Sequence, residues 1–222
     1  MLVGLYPPPK YSKIIEPFAG TARYSLKYWD RDITIIDKYD VVIKIWKWLQ
    51  QCSPNDILSL PKLTTGQDLR KLNLSEGELL FLQMNAGIAS TAPRFKVSKF
   101  SAEQNGRKNK YKLISENLYK IRHWEVVLGD YMDVKNEKAT WFIDPPYQFG
   151  GQAYKENKID FNHLGNWCKN RLGQVLVCEN TKATWLPFVP IKNIRSISAN
   201  PTTEAIWTNY HTHYNNVQQS LF

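Results

Sequence analysis

Three cysteines in 222 residues, Cys52, Cys168 and Cys178, are too few and too scattered for a disulfide framework. No CxxC pair or His/Cys group stands at zinc-ligand spacing, so reduced, partly buried thiols and no metal are expected. No apolar run approaches the roughly 18–20 residues that a membrane span needs. The first residues, Met1 to Lys13, hold three consecutive prolines and no apolar stretch of the kind a signal peptide carries. These absences point to the cytoplasm, with no membrane partner. Neither GxGxxG nor a P-loop lysine motif occurs, which argues against a nicotinamide cofactor or ATP. Internal repeats and low-complexity tracts are missing too.

What is present begins with enough apolar material, 43% of residues, for one sizeable core with a small appended subdomain. The net charge of +9 is unevenly spread. Between Ile88 and His123 stand Arg94, Lys96, Lys99, Arg107, Lys108, Lys110, Lys112, Lys120 and Arg122, opposed only by Glu103 and Glu116. Phe95, Phe100, Tyr111 and Tyr119 are interleaved with them. Basic residues supply affinity for phosphates and aromatic faces accept unpaired bases, so the segment has the footprint of a nucleic-acid partner. A solvated basic face is the plainer alternative.

Along the chain, Lys13–Phe18 reads as a short buried strand ending at a glycine turn, Ala22–Trp29 as a helix, and Ile33–Asp37 as a second strand. Val41, Val42, Ile45, Trp46 and Leu49 recur at helical spacing up to about Gln51. Strand, helix, strand, helix is the pattern of a doubly wound parallel sheet. It breaks at Ser53-Pro54-Asn55-Asp56 and resumes near Trp124. In between, Glu76–Gln83 predicts a helix, and Asn105-Gly106 is a turn dipeptide whose flanks could pair as a hairpin. Afterwards Glu125–Gly129, Thr140–Ile143 and Gln174–Cys178 read as strands, with a helix over about Asn162–Arg171. Two last strands, near Asn193–Ser198 and Glu204–Asn209, are joined by an Asn200-Pro201 turn and should pair antiparallel. The count is seven strands.

Two motifs carry chemistry. In Glu16-Pro17-Phe18-Ala19-Gly20-Thr21-Ala22 a glycine between strand and helix lets backbone approach a ligand closely. Asp37, ending the second strand, can accept the hydroxyls of a ribose. Asp144-Pro145-Pro146-Tyr147 directly follows the apolar run Trp141-Phe142-Ile143. Its prolines stiffen the backbone and leave carbonyls free to accept hydrogen bonds, Asp144 adds a carboxylate, and Tyr147 offers a flat face. An amine in that corner would donate to two acceptors while its ring rests on tyrosine. A rigid turn capping a strand is the bland alternative.

These motifs, in this order and with a basic insertion between them, resemble the S-adenosylmethionine-dependent methyltransferases that act on amines. The resemblance is greatest to the DNA adenine (N6) methyltransferases of the Dam-like, phage or prophage type, and it covers most of the chain. It implies an α/β, Rossmann-like fold with a seven-stranded, mostly parallel sheet and an antiparallel last strand. It also implies a catalytic domain over 1–50 and 124–214, an inserted target-recognition subdomain over 51–123, and a tail over 215–222. Asp144, Pro145, Pro146 and Tyr147 would form the catalytic motif. S-adenosylmethionine would meet Glu16, Pro17, Phe18, Gly20, Asp37, Lys38, Asp130, Tyr131 and Asp144, with Lys10 a further candidate. Two departures stand out: Ala22 replaces the second glycine of the family's FxGxG, and Pro8-Pro9-Lys10 stands where Gly-Gly-Lys is usual.

Double-stranded DNA is then the expected partner, through Arg94, Lys96, Arg107, Lys108 and Lys110, in a bacterial or phage-infected cell. The tail Gln218-Gln219-Ser220-Leu221-Phe222 resembles the short motif that docks DNA-processing proteins on the replicative sliding clamp. No cysteine neighbours the catalytic motif, which disfavours methylation at cytosine C5. The alternatives are an RNA base-amine methyltransferase and a non-catalytic nucleic-acid-binding protein on the same scaffold.

Overall fold

The computed structural model describes residues 2–87, 91–103, 107–194 and 202–210. Strands β1 (Lys13–Glu16), β2 (Asp32–Asp37), β3 (Glu125–Leu128), β4 (Ala139–Ile143), β5 (Gly173–Asn180), β6 (Val189–Ile194) and β7 (Thr202–Thr208) make one sheet, ordered β3-β2-β1-β4-β5-β7-β6. The first five pair in parallel. β7 lies between β5 and β6 and runs antiparallel to both. This is the α/β, Rossmann-like, seven-stranded sheet with a reversed last strand that the resemblance implies.

The strand runs are apolar because both faces of the sheet are covered. Alternate residues serve opposite faces: Ile14, Ile33, Ile35 and Leu176 join one buried cluster, and Ile15, Ile36, Trp141 and Val177 join another. Helix α7 (Phe161–Lys169) covers the second face with Leu164, Trp167 and Cys168. Helices α1 (Arg23–Lys27) and α2 (Asp40–Gln51) lie on the first, where Ile43, Trp46 and Leu49 form the buried stripe of α2.

The segment between α2 and β3 carries α3 (Pro54–Leu58), α4 (Glu76–Met84), α5 (Lys99–Glu103) and α6 (Arg107–Asn117). Capping boxes start two of these, Ser53 with Asp56 and Ser75 with Glu78, each satisfying two backbone N–H groups that a helix start leaves unpaired. Leu69, Phe81, Leu82, Tyr111 and Leu118 lie in the same buried cluster as Ile14 and Trp46. The insertion is thus packed into the sheet's own core.

Two sequence expectations are corrected. The flanks of Asn105-Gly106 are helices α5 and α6, not the arms of a hairpin. Tyr111, Ser115 and Leu118 are buried and Ile114 is partly buried, a helical spacing hidden among basic residues. The sixth strand starts at Val189, four residues before the expected Asn193; its Pro190 is tolerated because β6 is an edge strand with an irregularity between Pro190 and Lys192. Residues 104–106 and 195–201, which hold both turn dipeptides, lie outside the described residues. Among the described residues no helix is long and apolar enough to cross a membrane.

Candidate active site

Strand order reverses between β1 and β4, and in open α/β sheets the crevice beyond the carboxyl ends at such a switch is where ligands bind. Here it is a cavity of about 850 Å³. Its walls include Glu16 at the end of β1 with Phe18 after it, Asp37 at the end of β2, Asp130 after β3, Asp144 after β4, and Lys110 of α6. The size lies within the range of small-molecule and cofactor sites. Glu16, Pro17, Phe18, Gly20, Asp37, Lys38, Asp130, Tyr131 and Asp144 all line it, so nine of the ten residues expected to meet the cofactor come together. Lys10 is set apart. Its backbone N–H is held by Thr140 Oγ1 (3.1 Å) and Gln174 Oε1 (2.8 Å), and its ammonium lies 3.8 Å from the centre of the Tyr210 ring.

The turn after β1 is built from two left-handed residues, Gly20 (φ 44°) and Ala22 (φ 43°). The Gly20 N–H donates to Asp37 Oδ2 (2.9 Å), its carbonyl accepts from Trp46 Nε1 (3.0 Å), and the Tyr39 N–H donates to Asp37 Oδ1 (2.9 Å). Asp37 is thereby fixed on both oxygens. Burial nonetheless raises its pKa, opposed by those two N–H donors. Beside it Lys38 Nζ pairs with Asp130 Oδ2 at 2.9 Å, and Asp130 Oδ1 accepts the Met132 N–H (3.1 Å). Tyr131 and Phe18 stand next to this acid with ring centres 5.3 Å apart. Glu16 faces inward from the end of β1 and accepts the Ser25 N–H of α1 at 2.5 Å. Its carboxyl is 2% exposed, and burial pushes its pKa up to about 8 against the pull of the Ser25 hydrogen bonds.

Asp144 opens onto this cavity and onto a second one of about 370 Å³, which Pro145, Tyr147, Phe149, Tyr154 and Asn180 help to line. Tyr147 and Glu204 also border both. The Asp144 side chain is exposed where it opens onto the cavities, although the protein crowds round it on the other sides. Burial first, and the negative charge of Glu204 next, push its pKa up to about 7. Glu204 Oε1 accepts the hydroxyls of Tyr6 (2.8 Å) and Tyr147 (2.5 Å). A third acid, Glu179, is fully buried at the end of β5 and accepts the N–H groups of Gln148 (2.6 Å) and Asn180 (2.8 Å). Tyr6, Glu179 and Glu204 are absent from the sequence-based site. The signal for the two acids was a carboxylate at the edge of an otherwise apolar strand, Glu179 after Val175–Cys178 and Glu204 before Ala205-Ile206.

The basic residues divide. Arg94 and Lys96 are exposed, flanking exposed Phe95. Arg70, which the sequence reading passed over, lies 4.7 Å above the Phe95 ring and is gripped by both oxygens of Asp68 (3.0 and 2.7 Å). Lys110 lines the larger cavity and donates to Asn85 Oδ1. Arg107 and Lys108 begin α6, with side chains outside the described residues, as is the tail Gln218–Phe222. The Thr91 hydroxyl donates to the Ala153 carbonyl (2.6 Å), joining the insertion to the loop after the Pro-Pro motif. Among the described residues no group of three or more His, Cys, Asp or Glu side chains is placed to hold a metal ion. The three cysteines are free and buried.

No family model matches the chain, and no curated protein matches it. Among solved structures it is similar to a candidate methylase of Haemophilus influenzae, at TM-score 0.39 and 13% identity over 94% of this chain and 83% of that one. It is also similar to a candidate methyltransferase of Escherichia coli (0.37, 11%, 93% and 78%) and to an rRNA methyltransferase of Streptomyces viridochromogenes (0.38, 9%, 93% and 80%). These likenesses are distant, and the fold rests on the strand order itself.

Proposed function

We propose that this chain is a site-specific DNA adenine methyltransferase, moving a methyl group from S-adenosylmethionine to the exocyclic N6 amine of an adenine turned out of the duplex. One observation carries the reading: Asp144 and Tyr147 of the Asp-Pro-Pro-Tyr motif stand where two cavities meet. The larger has the acids of a nucleoside site, and the smaller has room beside the motif for a planar base.

The residues present fit the cofactor. Each Asp37 oxygen accepts one N–H and keeps a lone pair, which suits the two hydroxyls of a ribose. Asp130 beside the Tyr131 and Phe18 rings suits the edge and face of an adenine. Glu16 and Asp144 give the remaining end an acidic character that suits a sulfonium. When bound, S-adenosylmethionine supplies an electrophilic methyl group.

The target adenine has to leave the stack, because its amine is out of reach inside the duplex. Tyr147 then takes the base on its ring, a contact worth about 1–3 kcal/mol. Asp144 and the Pro145 carbonyl accept the two N–H bonds, drawing the nitrogen lone pair out of conjugation and aiming it for in-line attack. A carboxylate that titrates near 7 is also matched to take the proton the amine gives up. Arg94, Lys96, Arg107, Lys108 and Lys110, joined by Arg70 and Phe95, are the proposed DNA contacts.

Incubation with labelled S-adenosylmethionine and, separately, duplex DNA, structured RNA and protein extract tests this. Digestion should yield label in N6-methyldeoxyadenosine. Label confined to RNA or protein, or none at all, overturns the reading.

A further inference from the structure

Glu204 sits at the start of β7, 5% exposed, and its single oxygen Oε1 holds two hydroxyls from distant parts of the chain. Tyr6 belongs to the N-terminal segment and Tyr147 to the catalytic motif, so this oxygen ties three segments together at the junction of the two cavities. A neutral amide oxygen would accept the same two hydroxyls without the cost of a buried charge. The choice of a carboxylate, beside a second carboxylate, therefore calls for a role that needs the charge.

We propose, on the reading that Asp144 receives the target amine, that Glu204 is a positioning residue for methyl transfer. It fixes Tyr147 through the hydroxyl and, by its charge, strengthens Asp144 as an acceptor for the amine. Burial raises the pKa of Glu204 as it does that of Asp144, and on Glu204 the hydroxyls of Tyr147 and Tyr6 oppose that rise by favouring the anion. Around Asp144 the charged and titratable groups are Glu204 of β7, Glu179 and Cys178 of β5, Glu16 of β1, Tyr147 and Tyr154 of the following loop, and Tyr6. The Tyr147 hydroxyl pulls Asp144 down, and Glu204 and Glu179 push it up. Arg23, Lys38, Lys110, Lys155 and Lys158 line the larger cavity, but none contributes to this balance.

The test uses the whole chain, with the Asp144 carboxyl followed by carbon-13 NMR and assigned by its loss in Asp144→Asn. Glu204→Gln keeps an acceptor for both hydroxyls and removes the charge. It should lower the Asp144 midpoint by about one pH unit. The acidic limb of the kcat/KM profile should move with it, kcat at its plateau should fall, and S-adenosylmethionine affinity should stay within about twofold of the wild type. Glu204→Ala should lower kcat further than Glu204→Gln, since it also releases Tyr147. An Asp144 midpoint and pH profile unmoved by Glu204→Gln overturn the proposal. So does a loss of cofactor affinity in proportion to the loss of turnover, which marks a merely structural role. A wild-type protein that methylates no polymer would instead overturn the functional reading.

Discussion

Asp144 and Glu16 have the same sign of shift, but Glu16 is buried whereas Asp144 is exposed to the cavities, so Glu16 carries most of the consequence for stability. A carboxyl whose pKa is raised on folding binds its proton more tightly in the folded state. Its contribution to stability is therefore complete below the unfolded-state value near 4 and is lost as pH climbs through the folded value. The window set by these two groups runs from about 4 to about 8. The cofactor-free protein should lose thermal stability steadily from pH 5 to pH 8, and Glu16→Gln should flatten that slope; thermal melts across the range measure both. Activity should run the opposite way, rising with pH around 7, because the amine needs the Asp144 anion. Ala22 offers a second check. Its left-handed backbone costs about 1–2 kcal/mol, which glycine would relieve. Against that stand roughly 0.5–1 kcal/mol of added chain entropy and about 0.8 kcal/mol for the lost buried methyl. Ala22→Gly should accordingly shift stability by less than about 1 kcal/mol in a denaturant titration. The acids at the ends of β1 and β2 and just after β3 and β4 were legible in the sequence because each closes an apolar run. Glu204 was not legible as a partner of Tyr6, since 198 positions separate them and only the sheet brings them together.

At the level of elements, the parallel strands were readable because burial on both faces makes them unbroken apolar runs. Helix α6 was not, because its exposed side is crowded with lysines that mask the spacing of Tyr111, Ile114 and Leu118. The close approach of α4 to α2 was also invisible. A Cβ added at Gly77 would lie 2.3 Å from Trp48 Cγ, a clash at the stem of the side chain that only a shift of the helix or the indole can relieve. Alanine would gain about 1 kcal/mol of helix propensity there, less than the overpacking cost of up to about 3 kcal/mol. Gly77→Ala should thus destabilise the protein by about 1–2 kcal/mol, measured by denaturant unfolding. The exposed Arg70–Phe95 pair flanked by Arg94 and Lys96 belongs to this scale as well. If this edge meets phosphates, Arg94→Ala and Lys96→Ala should each reduce the slope of DNA affinity against salt by about 1, with cofactor binding unchanged.

Over the whole molecule, the insertion shares a core with the sheet and reaches the cavity through Phe81, Asn85 and Lys110. Nucleic acid bound on the insertion would then lie beside Asp144 without a second domain having to move. The expected clamp contact is separable from this, and removal of Gln218–Phe222 should abolish clamp binding while leaving turnover on short duplexes intact. Clamp affinity that survives the deletion ends that expectation.

The central claim is that Asp144 holds the amine during methyl transfer and is not required to keep the cofactor bound. Asp144→Ala, assayed in parallel for S-adenosylmethionine binding by calorimetry and for methylation of duplex DNA, addresses it most directly. Affinity within a few-fold of the wild type, with turnover lost, is the expected result; turnover close to that of the wild type would contradict the account.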